Sequence, residues 1–226
     1  MERLIVLDTE TTGLDPKEGH RIIEIGAIEI LNREITGEKF HKYIYSGKEV
    51  GDSEKVHGIT NTYLRKHGKE FNIIIDELIS FIASSTVVIH NAPFDLAFLN
   101  NELKLAGIKN SFESFCNKIN PIIDTLKVDK EKNPNQRHSL DALCRRYEID
   151  DSSRTKHGAL IDSKILAKVY LAMTGGQSSL FEENQNNEPQ ITNSSIIKKN
   201  ITNKEKIKVI FANKEEIKLH NNYFKN

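Results

Sequence analysis

Apolar residues recur along this chain with two different periods. Residues 4–7 (Leu-Ile-Val-Leu) form a short apolar run that stops at Asp8 and passes into Thr9-Glu10-Thr11-Thr12-Gly13, the pattern of a buried strand entering a turn. Residues 21–31 repeat it with Ile22, Ile23, Ile25, Ile28 and Ile30, interrupted by Gly26, and residues 39–45 predict a third strand in an antiparallel meander with the second. The period then changes: Phe71, Ile74, Ile75, Leu78, Ile79 and Ile82 line one face of a helix over 71–84. A buried strand over 86–89 follows, then a helix over 94–106 with Asn91 as its N-cap, a short strand over 122–125, and helices over 140–147 and 158–172. Antiparallel strands followed by alternating strands and helices predict an α/β domain with a central mixed sheet flanked by helices, spanning residues 1–174.

After Gly176 the composition turns to Ser, Asn, Gln and Glu, which bury too little to offset the entropy of ordering. Residues 175–205 are therefore expected to be a flexible linker. Apolar residues return at Ile207, Val209, Ile210, Phe211, Ile217 and Leu219, so residues 206–226 read as a C-terminal docking segment and not as a second domain.

Charge narrows the possible partners. Lys+Arg 32 balance Asp+Glu 32 over 226 residues, so no overall basic field exists to hold nucleic acid, and any such contact must be local. Cys116 and Cys144 are too few for a disulfide framework and form no CxxC pair, which predicts reduced, buried thiols. No run approaches the ~18 apolar residues of a membrane span and the N-terminus lacks a signal-peptide core, so a cytoplasmic protein without membrane contact is expected.

The chemistry concentrates at the ends of the predicted core elements. Asp8 and Glu10, at i and i+2, project from one face of a strand end, where their repulsion calls for a cation, usually a hard divalent metal. Asp95 falls in the first turn of the helix after a buried strand, where an acid also suits the helix dipole. Asp162, between Ile161 and Ile165-Leu166, lies at the edge of an apolar stripe where a lone charge is costly. His157 precedes that helix and, with a histidine's ordinary pKa of about 6.5, suits proton abstraction near neutrality. Taken singly, each has an ordinary structural reading. Together, four acids and a histidine predict a site for two divalent ions acting on a phosphodiester.

Val6-Leu-Asp-Thr-Glu-Thr-Thr-Gly13, Ile89-His-Asn-Ala-Pro-Phe-Asp95 and His157-Gly-Ala-Leu-Ile-Asp162 resemble the three exonuclease motifs of the DEDD superfamily, in its histidine-containing (DEDDh) branch. The resemblance implies a ribonuclease-H-like fold, two Mg2+ or Mn2+ ions, and 3′ to 5′ hydrolysis releasing nucleoside monophosphates. By position it implies Asp8, Glu10, Asp95 and Asp162 as metal ligands and His157 as general base. Within the superfamily the chain is most similar to the proofreading subunits of bacterial replicases, through Val56-His-Gly-Ile-Thr60, Ser139-Leu-Asp-Ala-Leu-Cys144, Tyr170-Leu-Ala-Met-Thr-Gly-Gly176 and the tail segments Lys208-Val-Ile-Phe-Ala212 and Glu215-Glu-Ile217.

That likeness implies that His57 and Asp52 contact the terminal nucleotide of a single-stranded DNA 3′ end, together with Asp8, Glu10 and Asp162. Asp52 stands where the family carries a glutamate. It also implies a polymerase catalytic subunit bound through the C-terminal tail and leaves room for a small stabilising (theta-like) subunit. Gln177-Ser-Ser-Leu-Phe181 resembles the peptide by which bacterial proteins bind the sliding clamp, with Gln177, Leu180 and Phe181 as its anchors. A free-standing exoribonuclease of the same superfamily is the nearest alternative. A catalytically silent polymerase–clamp adaptor is disfavoured because all five catalytic positions are filled.

Overall fold

The computed structural model describes residues 2–152, 154 and 156–175. The sequence readings on Gln177, Leu180, Phe181 and residues 206–226 lie outside these described residues.

Five strands, β1 (Arg3–Thr11), β2 (Ile22–Leu31), β3 (Glu34–Tyr43), β4 (Thr86–Ile89) and β5 (Ile122–Asp124), form one sheet in the order β3-β2-β1-β4-β5. β1, β2 and β3 pair antiparallel, whereas β4 and β5 continue parallel to β1. Asn32 and Arg33, with φ of 50° and 68°, make the two-residue left-handed turn that suits the twist of the β2–β3 hairpin. The helices are α1 (Glu54–His57), α2 (Asn61–His67), α3 (Phe71–Ile82), α4 (Ala92–Leu105), α5 (Thr125–Lys132), α6 (Leu140–Arg146) and α7 (Ala159–Thr174). Among the described residues no helix is long and apolar enough to cross a membrane.

Alternation along the strands builds three layers within the described residues. Ile5, Leu7, Ile25, Ala27, Val87 and Ile89 pack against α3 and α4 through Ile74, Leu78, Phe98 and Leu99. On the opposite face Leu4, Val6, Ile28, Ile30 and Val88 pack against Leu166, Ala167, Tyr170 and Met173 of α7. The central strands are thus buried on both faces, which is why they read as near-continuous apolar runs. This is the mixed-sheet α/β architecture predicted from the pattern, and Cys116 and Cys144 are free and buried as expected.

One difference bears on the site. The apolar run at 4–7 suggested a strand ending at Asp8, yet β1 continues to Thr11 because its polar half still pairs with β2, Asp8 opposite Gly26 and Glu10 opposite Glu24. The acids are therefore held in a ladder and not in a turn, with the register slipping only between Glu10 and Thr11.

Candidate active site

Asp8 and Glu10 share the face of β1 that carries Leu4 and Val6, the face covered by α7. α7 comes unusually close to that face. A Cβ built on Gly26 would stand 2.3 Å from Ala159 C and Leu160 N, so only glycine lets the first turn of α7 rest on β2 opposite Asp8. Ser163 fixes the contact, donating its hydroxyl to Gly26 O (2.8 Å) and Ala159 O (2.7 Å). Glu24 caps the helix from the sheet, its Oε2 accepting the Ala159 amide (3.1 Å) while His41 Nε2 lies 2.6 Å from its Oε1. Asp162, one turn into α7, is thereby aimed at the strand acids and is only 3% exposed.

Asp95 arrives from the other face. Asn91, at the N-cap of α4, adopts φ 66°, and its amide donates to Asp124 Oδ1 (3.0 Å), which also accepts the Leu126 amide (2.9 Å). β5 thus fixes the turn from which α4 starts. Asp95, in the first turn and 3% exposed, accepts the Thr9 hydroxyl at 2.7 Å. Thr9 points to the α4 side of β1 because it alternates with Asp8 and Glu10.

His157 sits in the segment before α7 with its side chain 48% exposed, and its Nδ1 lies 3.2 Å from Asp162 Oδ2. Ligand atoms of Glu10, His157 and Asp162 all lie within 4.8 Å of one another. The surroundings make negative charge expensive here. Burial, then repulsion from Asp95, Glu10, Asp162 and Glu24, pushes the Asp8 carboxyl well above its ordinary range. Burial and the charges of Asp162 and Glu24 push Glu10 up to about 8, against the opposing pull of Arg154. Burial raises Asp95 to about 7 although Thr9 and nearby amides favour its charged form. Asp162 Oδ1 is buried and lies 2.6 Å from Arg154 Nε, a charge contact too poorly aligned for a hydrogen bond. Crowded carboxylates, with Asp95 and Asp162 buried and the charge of Asp8, Glu10 and Asp95 destabilised, are the donor set that hard divalent cations take, so Asp8, Glu10, Asp95 and Asp162 fit a metal centre.

The structure therefore brings Asp8, Glu10, Asp95, Asp162 and His157 together. Asp52 stands apart, its side chain 95% exposed and paired with Lys55 at 2.7 Å. His57 is buried at the end of α1, where its Nδ1 accepts the Ile59 amide (2.9 Å) and its Nε2 lies 2.9 Å from Ser53 Oγ. Burial lowers its pKa from the ordinary histidine value. The two segments touch through the His157 amide and Val56 O, 3.4 Å apart. Sequence reasoning passed over Thr9, Glu24 and Arg154. Glu24 was visible as a charge inside an apolar strand, and Thr9 as the residue between two acids, but Arg154 carries no local mark.

Residues 5–170 match the exonuclease family. The DNA polymerase III subunit epsilon of Rickettsia prowazekii is 47% identical over 197 residues, covering 87% of this chain and 83% of that protein. That of Buchnera aphidicola subsp. Schizaphis graminum is 47% identical over 232 residues, covering 99% of this chain and 96% of its own. The chain belongs to the exonuclease family, among its DNA polymerase III epsilon subunits. Metal-dependent exonuclease activity comes with that membership. The exonuclease fold is also seen in the exonuclease I of Methylocaldum szegediense, at a TM-score of 0.66 and 19% identity over 80% of this chain and 42% of that one.

Proposed function

We propose that this chain is the proofreading 3′ to 5′ exodeoxyribonuclease subunit of a replicative DNA polymerase, removing mispaired 3′-terminal nucleotides as nucleoside monophosphates. The observation that carries the proposal is the convergence of Asp8, Glu10, Asp95 and Asp162 with His157 beside Asp162. Asp8, Glu10, Asp95 and Asp162 would hold two divalent ions, Mg2+ or Mn2+. Bound there, such ions supply activation of the attacking water and stabilisation of the leaving 3′ oxygen.

The chain's own residues do the rest. His157, partly open to solvent on a segment outside the rigid helix, takes the proton of the attacking water at the scissile phosphate. Thr9 fixes the Asp95 carboxylate, and Glu24 fixes the start of the helix that carries Asp162. His57, whose neighbour Val56 touches the His157 segment through a backbone contact, is placed to meet the terminal nucleotide, with Asp52 reaching it from the same segment. Gln177, Leu180 and Phe181 are the sliding-clamp contact, and residues 206–226 bind the polymerase catalytic subunit. The overall neutral charge suits a nuclease that receives its DNA end from a bound polymerase and not through its own field.

Hydrolysis of matched and mismatched DNA primers and of an RNA primer, each with and without chelator, tests the reading. Metal-dependent removal of the mismatched DNA end is expected. Preference for RNA would turn the reading to an exoribonuclease, and no turnover on any strand would leave an adaptor.

A further inference from the structure

Arg154 occupies a place that the reaction outlined above does not use. Its side chain is only 8% exposed. Its Nε lies 2.6 Å from Asp162 Oδ1, out of line for a hydrogen bond, and its Nη2 donates to Asp162 Oδ2 at 2.7 Å. The same Nη2 is 2.7 Å from His157 Nδ1, and Nη1 donates to Asp141 at the start of α6. A guanidinium only donates, so His157 Nδ1 accepts in this pairing and its lone pair is engaged. Within the four-carboxylate cluster Arg154 is thus the cation that offsets Asp162, and it also ties up the histidine.

Resting on the metal-centre reading above, we propose that Arg154 is a positioning residue that acts as a built-in counter-cation. Before a divalent ion arrives it neutralises Asp162 and holds His157; the ion must displace it, and the displaced guanidinium stays on Asp141. Two observations support a place for it to go. A cavity of about 390 Å³ beside the site is lined by Asp141, Asp151, Ser152, Arg154, Lys156 and His157, so outside the cluster the guanidinium keeps the Asp141 carboxylate it already holds and has Asp151 near by, with Lys156 as the one opposing charge in that lining. Asp141 is half-exposed while Asp162 is buried, so once an ion replaces Arg154 on Asp162 no buried charge is left unpaired, and the guanidinium on Asp141 is solvated by water. Release of His157 would then be coupled to metal loading.

The test is Mn2+ binding to the full-length protein, by calorimetry, and melting temperature with Mn2+ or with chelator. In Arg154→Met, Mn2+ needs to displace nothing, so its affinity should rise by roughly tenfold, within the range for coupled sites, while the chelated protein melts lower than wild type. Arg154→Lys keeps the charge without the fork and should lie between. Unchanged or weaker Mn2+ affinity in both variants, or equal losses of melting temperature with and without Mn2+, would reduce Arg154 to a structural brace and overturn the inference. Should Arg154→Met not fold, the Lys variant decides alone by the same criterion. Absence of Mn2+ binding in the wild type would instead overturn the metal-centre reading, and the inference with it.

Discussion

At Asp8 two effects act in the same direction. Burial and the neighbouring acids both disfavour its charge, so in the metal-free protein this residue works against folding. Asp8→Asn keeps the shape and removes the repulsion. It should lower turnover by about 10²-fold or more, as expected when an ion in the transition state is misplaced. Its melting temperature in chelator should equal or exceed that of wild type, whereas the rise on adding Mn2+ should disappear. A variant that kept more than about a tenth of wild-type activity, a barrier change below ~1.4 kcal/mol, would remove Asp8 from the metal centre. His157 touches the cluster from a half-open side, and its loss should look different. His157→Ala should reduce kcat by about 10²-fold with the Mn2+-induced stabilisation retained. Loss of both together would make it a ligand and not the base.

Elements show how far the sequence could be read. α3 was legible because five of its apolar positions are buried on one stripe, Phe71, Ile74, Ile75, Leu78 and Ile82. α5 went unseen because its buried anchors are polar, Thr125 and Asp129, and a helix held by such residues has no apolar period. α1 and α2 each bury a single residue, His57 and Leu64, so no period marks them. The pattern predicts the third strand only over 39–45, but β3 begins already at Glu34, its exposed first half, 34–39, carrying no apolar alternation. The five chemical side chains were legible from their element ends, but Arg154 is defined only by tertiary contact.

Asp129 explains what replaces apolar packing in α5. Its fully buried carboxylate binds Arg146 Nη1 through both oxygens (2.6 and 2.5 Å), Asn133 Nδ2 (2.9 Å) and His138 Nδ1 (2.6 Å), fastening α5 to α6. Burial alone would raise its pKa, but the bonds from Arg146, His138 and Asn133 outweigh it and hold the group below the ordinary carboxylate range. A depressed folded pKa stabilises the protein above the unfolded value of about 3.9 and loses that contribution as pH falls through the lower folded value. Asp129→Asn strands a largely buried Arg146 and should cost about 3 kcal/mol at neutral pH. Melting curves of the two proteins from pH 7 downward should converge only below about pH 4. A gap that stayed constant with pH would mean that the carboxylate's charge contributes nothing.

For the whole molecule, catalysis and tethering are expected to be separable. Among the described residues the apolar clusters lie between Leu4 and Met173 and the five candidate site residues fall within the same span, so catalysis is expected without the residues beyond Gly176. A flexible tether raises the local concentration of its partners without shaping the site it carries. Truncation after Gly176 should leave hydrolysis of a short single-stranded DNA nearly unchanged while abolishing association with polymerase, through loss of residues 206–226, and with clamp, through loss of Gln177 to Phe181. Replacing only Leu180 and Phe181 by alanine should weaken clamp binding and spare the polymerase, because residues 182–205 separate the two segments. Pull-downs against each partner decide the matter: equal loss of both would make the tail one folded unit, and loss of neither would return 177–181 to plain linker.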